Sequence, residues 1–204
     1  MLKIKYAVVT TTILAALIAG CSSGDKKEAA GGAKGGESQM QQAAEGHQNS
    51  AGGITWTAPS DWKTGPAQQL RVVTYLISAI EGDVDSAELA VFHFPGTGGA
   101  KDANLQRWAG QFEQADGRNS ADLAKIKEME ANGLKITTIE LAGIYRVSAG
   151  PMMEVKEKKT GYALKGAIIE GPQGMVFFKM TGPEKTVAAS GDDFSKMINS
   201  AKAG

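Results

Sequence analysis

Hydrophobic and polar positions change period several times along the chain, and each change marks an element. Tyr6 to Leu17 is a largely apolar run without a charge, whereas Ser22 to Gly52 has Met40 as its only large apolar residue. From Ile54 the pattern becomes that of a folded domain. Ile54-Thr55-Trp56 opens a short strand, and Pro59-Ser60-Asp61-Trp62 reads as a turn. Leu70 to Ser78 gathers Val72, Val73, Thr74, Tyr75 and Ile77, which predicts a strand buried on both faces or nearly so. Glu81-Gly82-Asp83 breaks it. Ala87 to Phe94 then alternates, with Leu89, Val91 and His93 on one face and Ala90, Phe92 and Phe94 on the other. Two strands joined by a polar turn form an antiparallel hairpin.

Beyond Pro95-Gly96-Thr97-Gly98-Gly99 the period becomes helical. Leu105, Trp108, Ala109 and Phe112 follow i, i+3, i+4, i+7 as one apolar stripe from Asp102 onward, with Asn104, Arg107 and Gln111 as a polar stripe beside it. Asp116-Gly117 is expected to close this helix. Asn132-Gly133 is a strong two-residue hairpin signal, because its turn needs positive φ at both central residues. Strands are therefore predicted at 126–131 and 134–141, pairing Glu130 with Lys135, Met129 with Ile136 and Ala131 with Leu134. Gly143 to Gly161, with its charged run Glu154 to Lys159, is expected to be a long exposed loop. Tyr162 to Glu170 and Met175 to Thr181 make a further hairpin around Gly171-Pro172-Gln173-Gly174. Pro183 suits the first position of a helix, and Asp192 suits the cap of a last one that faces Phe194, Met197, Ile198 and Ala201 inward. The sum is an α+β fold, a mostly antiparallel sheet of about seven strands with helices packed on it. An open β-sandwich with peripheral helices is the alternative.

The first run has the three-part form of an export signal over residues 1–20: Lys3 and Lys5, an uncharged stretch too short to span a bilayer comfortably, then small residues. An ordinary secretory signal is one reading. Ile18-Ala19-Gly20-Cys21 instead resembles the bacterial lipobox, which implies cleavage after Gly20 and lipidation of Cys21, the chain's single cysteine. Two or more acyl chains anchor stably where one does not. Ser22, not Asp, follows the cysteine, as in lipoproteins passed on to the outer membrane, so the periplasmic face of that membrane is the expected location.

Residues 21–52 then read as the lipidated cysteine and a flexible linker, and 53–204 as one globular domain. A flexible chain of about 31 residues reaches on the order of 30 Å. Removing Lys3 and Lys5 with the signal leaves 20 basic residues against 22 acidic, a net charge of −2. That balance excludes a nucleic-acid footprint and a polybasic membrane patch. With Cys21 committed to lipid, the domain has no disulfide, thiol nucleophile or zinc-thiolate site.

The order of elements resembles the PsbP-like fold, shared by the extrinsic photosystem II protein and the Ran-binding Mog proteins. Trp56-Thr57-Ala58-Pro59-Ser60-Asp61-Trp62 and Phe177-Phe178-Lys179 carry that likeness over roughly 53–204. Gly98-Gly99, Asn104 to Gln111 and Phe178 to Pro183 are similar to a group of bacterial envelope lipoproteins without an established activity, a likeness that implies no site.

No catalytic constellation is legible, so no enzyme and no cofactor is expected. Gly96 to Lys101 lacks the Gly-Lys-Ser/Thr ending of a phosphate loop and follows an antiparallel strand. His93, the only histidine of the domain, is expected to be satisfied and partly buried, and no nucleophile elbow accompanies it. Met152-Met153-Glu154 offers soft ligands to Cu(I), but adjacent methionines serve packing more often, and no metal site is assigned. Asp83 and Asp85 supply too few ligands for calcium and are expected to satisfy local amides. The best recognition candidates are Asn104, Arg107 and Gln111, joined by Trp56 and Trp62 if exposed. The expected function is a lipid-anchored, non-enzymatic binding or accessory domain for an envelope partner. The alternative is a periplasmic small-ligand or metal-binding protein.

Overall fold

The computed structural model describes residues 46–95, 100–149 and 154–204. The export signal, Cys21, the linker up to residue 45, Gly96 to Gly99 and Met152-Met153 lie outside the described residues.

The domain begins earlier than 53. Gly52 and Gly53 both take positive φ, 60° and 74°, and close a two-residue turn. Strand β1 (His47–Ala51) thereby pairs antiparallel with β2 (Ile54–Ala58), Ala51 opposite Ile54. The polar composition of 47–52 suggested linker, but β1 is held by ladder hydrogen bonds to a buried strand, which need no apolar residues of its own. Next come β3 (Lys63–Thr64), β4 (Val73–Ile77) and β5 (Ala87–His93). Leu70 falls before β4 in a left-handed conformation, and Leu76 is exposed, so this segment is shorter and less buried than expected.

Helix α1 (Lys101–Ala109) carries Asp102 in its first turn and Arg107 in its last, complementing the helix dipole. It stops at Gly110, not at Asp116-Gly117. Phe112 still joins the apolar stripe, but from the short strand β6 (Phe112–Glu113) opposite Tyr145. After α2 (Ser120–Leu123) and β7 (Lys125–Ala131) come the two longest strands, β8 (Leu134–Ala149) and β9 (Glu154–Gly171). The predicted register across Asn132-Gly133 is found: Glu130 faces Lys135, Met129 faces Ile136 and Ala131 faces Leu134.

Where the expected loop over 143–161 is described, at 143–149 and 154–161, it is instead a two-stranded extension in which Tyr145 pairs with Lys159 and Val147 with Glu157, past an irregularity after Gly143. Residues 154–158 are exposed whichever way they point, so no apolar alternation marks them as strand. β10 (Gly174–Pro183) returns along β9, with Gly171 opposite Gly174. Helices α3 (Glu184–Ala189) and α4 (Gly191–Asn199) and strand β11 (Lys202–Ala203) complete the chain. Pro183 and Ser190 occupy the cap positions of the two helices, and Asp192 lies inside α4.

Among the described residues eight strands form the main sheet. Its order is β3-β4-β5-β10-β9-β8-β6, and β7 pairs with β8 beside β6. A second sheet runs β1-β2-β11. All the pairings are antiparallel, and the fold is α+β.

Period-two alternation sends alternate residues of the main sheet to two cores. Leu89, Val91, Phe178 and Met180 face the larger one, closed by Trp56 and Trp62 and by Phe194, Met197, Ile198 and Ala201 of the C-terminal segment. Ile139, Leu141, Leu164, Ile168 and Phe177 face the smaller one, closed by Leu105, Trp108 and Ala109 of α1. The two faces expected for Ala87 to Phe94 are these: Phe92 and Phe94 pack on the α1 side.

Candidate functional site

Helix α1 covers only part of its face of the sheet, and the face turns polar beside it. Register places Lys179 of β10 opposite Ala90 of β5, and Thr74 of β4 beyond that. One step along, Thr181 lies opposite Glu88. Side chains of α1 and its following turn meet this edge. Lys179 Nζ donates to the Gln111 side-chain oxygen, and an Arg107 guanidinium nitrogen donates to the side-chain oxygen of Asn104. Asn104 is itself buried, and its amide nitrogen donates to the Ala100 carbonyl at 3.1 Å. Asn104 therefore ties the start of the helix and steers Arg107, while Arg107 stays exposed.

Between helix and sheet lies a cavity of about 160 Å³, lined by Phe92, Phe94, Trp108 and Phe177 and by Asn104, Arg107, Gln111 and Lys179. Trp108 meets Phe177 edge to face at 6.4 Å, and Phe94 tilts on Phe177 at 6.2 Å. Lys179 keeps part of its surface, yet its ammonium is withdrawn from water and lies 5.5 Å from the centroid of the Tyr145 ring. Burial lowers its pKa to about 8, the positive charges of Arg71 and Arg107 push the same way, and Glu88 opposes them. Glu88 is engaged by Arg71 at 2.7 Å, and the Arg71 guanidinium lies 5.7 Å from the Phe92 centroid. Among the described residues, no carboxylate forms an ion pair with Arg107 or Lys179. The site is thus an aromatic cup with two basic groups at its wall.

The aromatic surface continues past Tyr145, which stacks on Tyr162 at 6.0 Å and 5°. Asp85 accepts from the Tyr162 hydroxyl and from Lys159 Nζ at 2.8 Å. These hydrogen bonds hold the Asp85 carboxyl below the usual range and raise Lys159, while burial raises the Tyr162 phenol. Asp83 instead accepts from the backbone N–H and hydroxyl of Thr186, at 2.9 and 2.7 Å, and so satisfies the start of α3. Both aspartates act across the fold, not on local amides.

Of the sequence candidates, Asn104, Arg107 and Gln111 come together at one cavity. Trp56 and Trp62 do not belong to it: they are 1% and 2% exposed in the opposite core, and Trp56 Nε1 donates to the Tyr75 hydroxyl at 3.2 Å. A partner has no access to them. His93 is partly buried, with Nδ1 3.3 Å from the Met175 carbonyl oxygen. Among the described residues no group of three or more His, Cys, Asp or Glu side chains is placed to hold a metal. Lys179 and Arg71 escaped sequence reading. The one available signal was a lysine between Phe178 and Met180 in a strand core, on the same side as Phe177 by period two.

No known family pattern matches the sequence, and no curated protein matches it in sequence. Solved structures do. The cyanobacterial PsbP (CyanoP) of Synechocystis sp. PCC 6803 is similar over 83% of this chain and 98% of its own, with a TM-score of 0.50 at 13% identity. The fold is PsbP-like. A Pseudomonas aeruginosa protein of unknown function is similar over 75% of this chain and 93% of its own (TM-score 0.41, 9% identity). LpqN of Mycobacterium tuberculosis, described as involved in cell envelope biogenesis, is similar over 73% and 82% (TM-score 0.41, 12% identity). No helix among the described residues is long and apolar enough to cross a membrane.

Proposed function

We propose that this chain is a lipid-anchored accessory protein of the cell envelope, whose PsbP-like domain binds an envelope partner and catalyses no reaction. Lipidation at Cys21 would hold it to the periplasmic face of the outer membrane, and the segment before β1 would supply reach. The observation that supports the binding role is the juxtaposition of Arg107 and Lys179 on the wall of an aromatic-lined cavity, with no carboxylate paired to either among the described residues. Buried aromatic anchors beside an arginine are the composition of a binding hot spot.

Metabolic labelling with an alkyne fatty acid, followed by membrane fractionation, tests the anchor. Label and membrane association are expected for the native chain, and both should vanish in Cys21→Ser. Retention of the label in Cys21→Ser would remove the anchor from this reading. Capture of one envelope protein by the native chain, lost in Arg107→Glu, would support the binding role.

A further inference from the structure

We infer that the cavity between α1 and the sheet binds a small carboxylate carried on a compact apolar group, with the carboxylate at Arg107 and Lys179. This goes beyond the accessory reading, because it shares Arg107 with that reading but needs no protein partner. The size is set by the space: about 160 Å³ is close to the roughly 150 Å³ of an apolar cavity that accepts benzene. The apolar body is required by the lining, since Phe92, Phe94, Trp108 and Phe177 present ring surface and no hydrogen-bonding group except the indole N–H.

The anionic end is required by the rest of the wall. Lys179 spends one donor on Gln111, and Arg107 spends part of its guanidinium on Asn104, which leaves further N–H groups on both. The planar guanidinium suits a carboxylate geometrically. A bare inorganic anion would satisfy the charge but leave the aromatic part of the cup facing water.

The binding should couple to a proton. The charged and titratable groups around Lys179 are Arg71 from the segment before β4, Glu88 of β5, Arg107 of α1 and Tyr145 of β8. Burial raises the Tyr145 phenol, so of these only Lys179, at about 8, changes charge in mildly alkaline solution. A carboxylate favours the ammonium form. Affinity is therefore full below pH 8 and falls by about tenfold for each unit above it.

The test uses benzoate as the probe with the full chain, followed by NMR of the Trp108 indole and the aromatic rings. Benzoate should bind with a Kd on the order of 1 mM. It should shift the Trp108 indole and lose about tenfold in affinity between pH 7 and pH 9. Arg107→Gln, at an exposed position that leaves the core intact, should weaken it about tenfold. Lys179→Met should abolish the pH dependence. Benzyl alcohol and inorganic phosphate, each lacking one half of the probe, should bind at least tenfold more weakly. Three results would each overturn the inference: no shift of Trp108 at about 10 mM benzoate, equal binding of benzyl alcohol with no loss in Arg107→Gln, or equal binding of phosphate. Capture of a protein partner unaltered by benzoate, together with a failed titration, would sink this inference and leave the accessory role standing.

Discussion

Trp108 packs directly on Gly166. A Cβ added to Gly166 would come within 2.7 Å of the Trp108 ring and 2.9 Å of Ile139 Cγ2. The missing side chain in β9 is therefore what lets α1 seat its indole on the sheet and place Arg107 and Gln111 at the edge of the cavity. Gly166→Ala should destabilise the fold by about 1–3 kcal/mol, because the ring or the strand must shift. Urea denaturation followed by tryptophan fluorescence measures this. Wild-type stability in Gly166→Ala would mean that the helix is not seated on this glycine.

Trp56 and Trp62 close the larger core, and Trp56 meets Phe178 edge to face at 5.1 Å. Trp56→Ala should cost about 3–5 kcal/mol. In the native protein all three tryptophans should resist quenching by acrylamide, since Trp56, Trp62 and Trp108 are 1%, 2% and 4% exposed. Strong quenching of the native protein would return Trp56 or Trp62 to the surface as a recognition residue.

Lys179 makes a signed prediction about pH. Its folded pKa, about 8, lies below the ordinary lysine value. Below pH 8 the ammonium is charged in both folded and unfolded chains, and the cost of burying it is fully present. Between pH 8 and 10 the unfolded chain still holds a proton that the folded chain has released, so stability from this group rises with pH. Lys179→Met should remove that slope and stabilise the protein at pH 7 by on the order of 2 kcal/mol. Denaturation curves at several pH values test both. A slope that persists in Lys179→Met would assign it to another group.

Asp85 makes the opposite prediction. Its carboxyl is held low by the hydrogen bonds from Lys159 and Tyr162, so its contribution is present at neutral pH and lost as pH falls through its folded value. Asp85→Asn should lower Tm at pH 7, and the gap from wild type should close in acid, below the usual carboxylate range. An unchanged Tm at pH 7 would mean that Asp85 does not fasten the loop after β4 to Tyr162.

Much of this fold was legible where local chemistry and tertiary packing agree. Asn132 and Gly133 take φ of 51° and 76°, the conformation their identities favour, and the register follows from the turn. Leu105, Trp108 and Ala109 all bury, as their spacing requires. The far halves of β8 and β9 were not legible, because residues 154–158 of β9 are exposed on both faces, residues 142–148 of β8 are half-buried on both, and neither pattern gives an apolar period. Strand β1 was legible in one respect only, the Gly52-Gly53 pair, amid polar residues that pointed to linker. Three of the candidate residues, Asn104, Arg107 and Gln111, were visible as a stripe on one helix face. Lys179 was not, since its role arises from β10 pairing with β5 and from Tyr145 crossing over it.

The most direct test of the accessory role is position-resolved photo-cross-linking in intact cells, with a photoreactive residue at Ala103 or at Val84. Ala103 is exposed and lies one helical turn before Arg107 on the same face of α1, so Arg107 itself is kept. Val84 is the control: it is fully exposed and lies in the loop after β4, not at the cavity. A defined envelope protein should cross-link from position 103, not from 84, and the product should disappear when Cys21→Ser is added. Equal products from both positions, or none from 103 in cells that retain the lipidated chain, would contradict the proposal that this face binds an envelope partner.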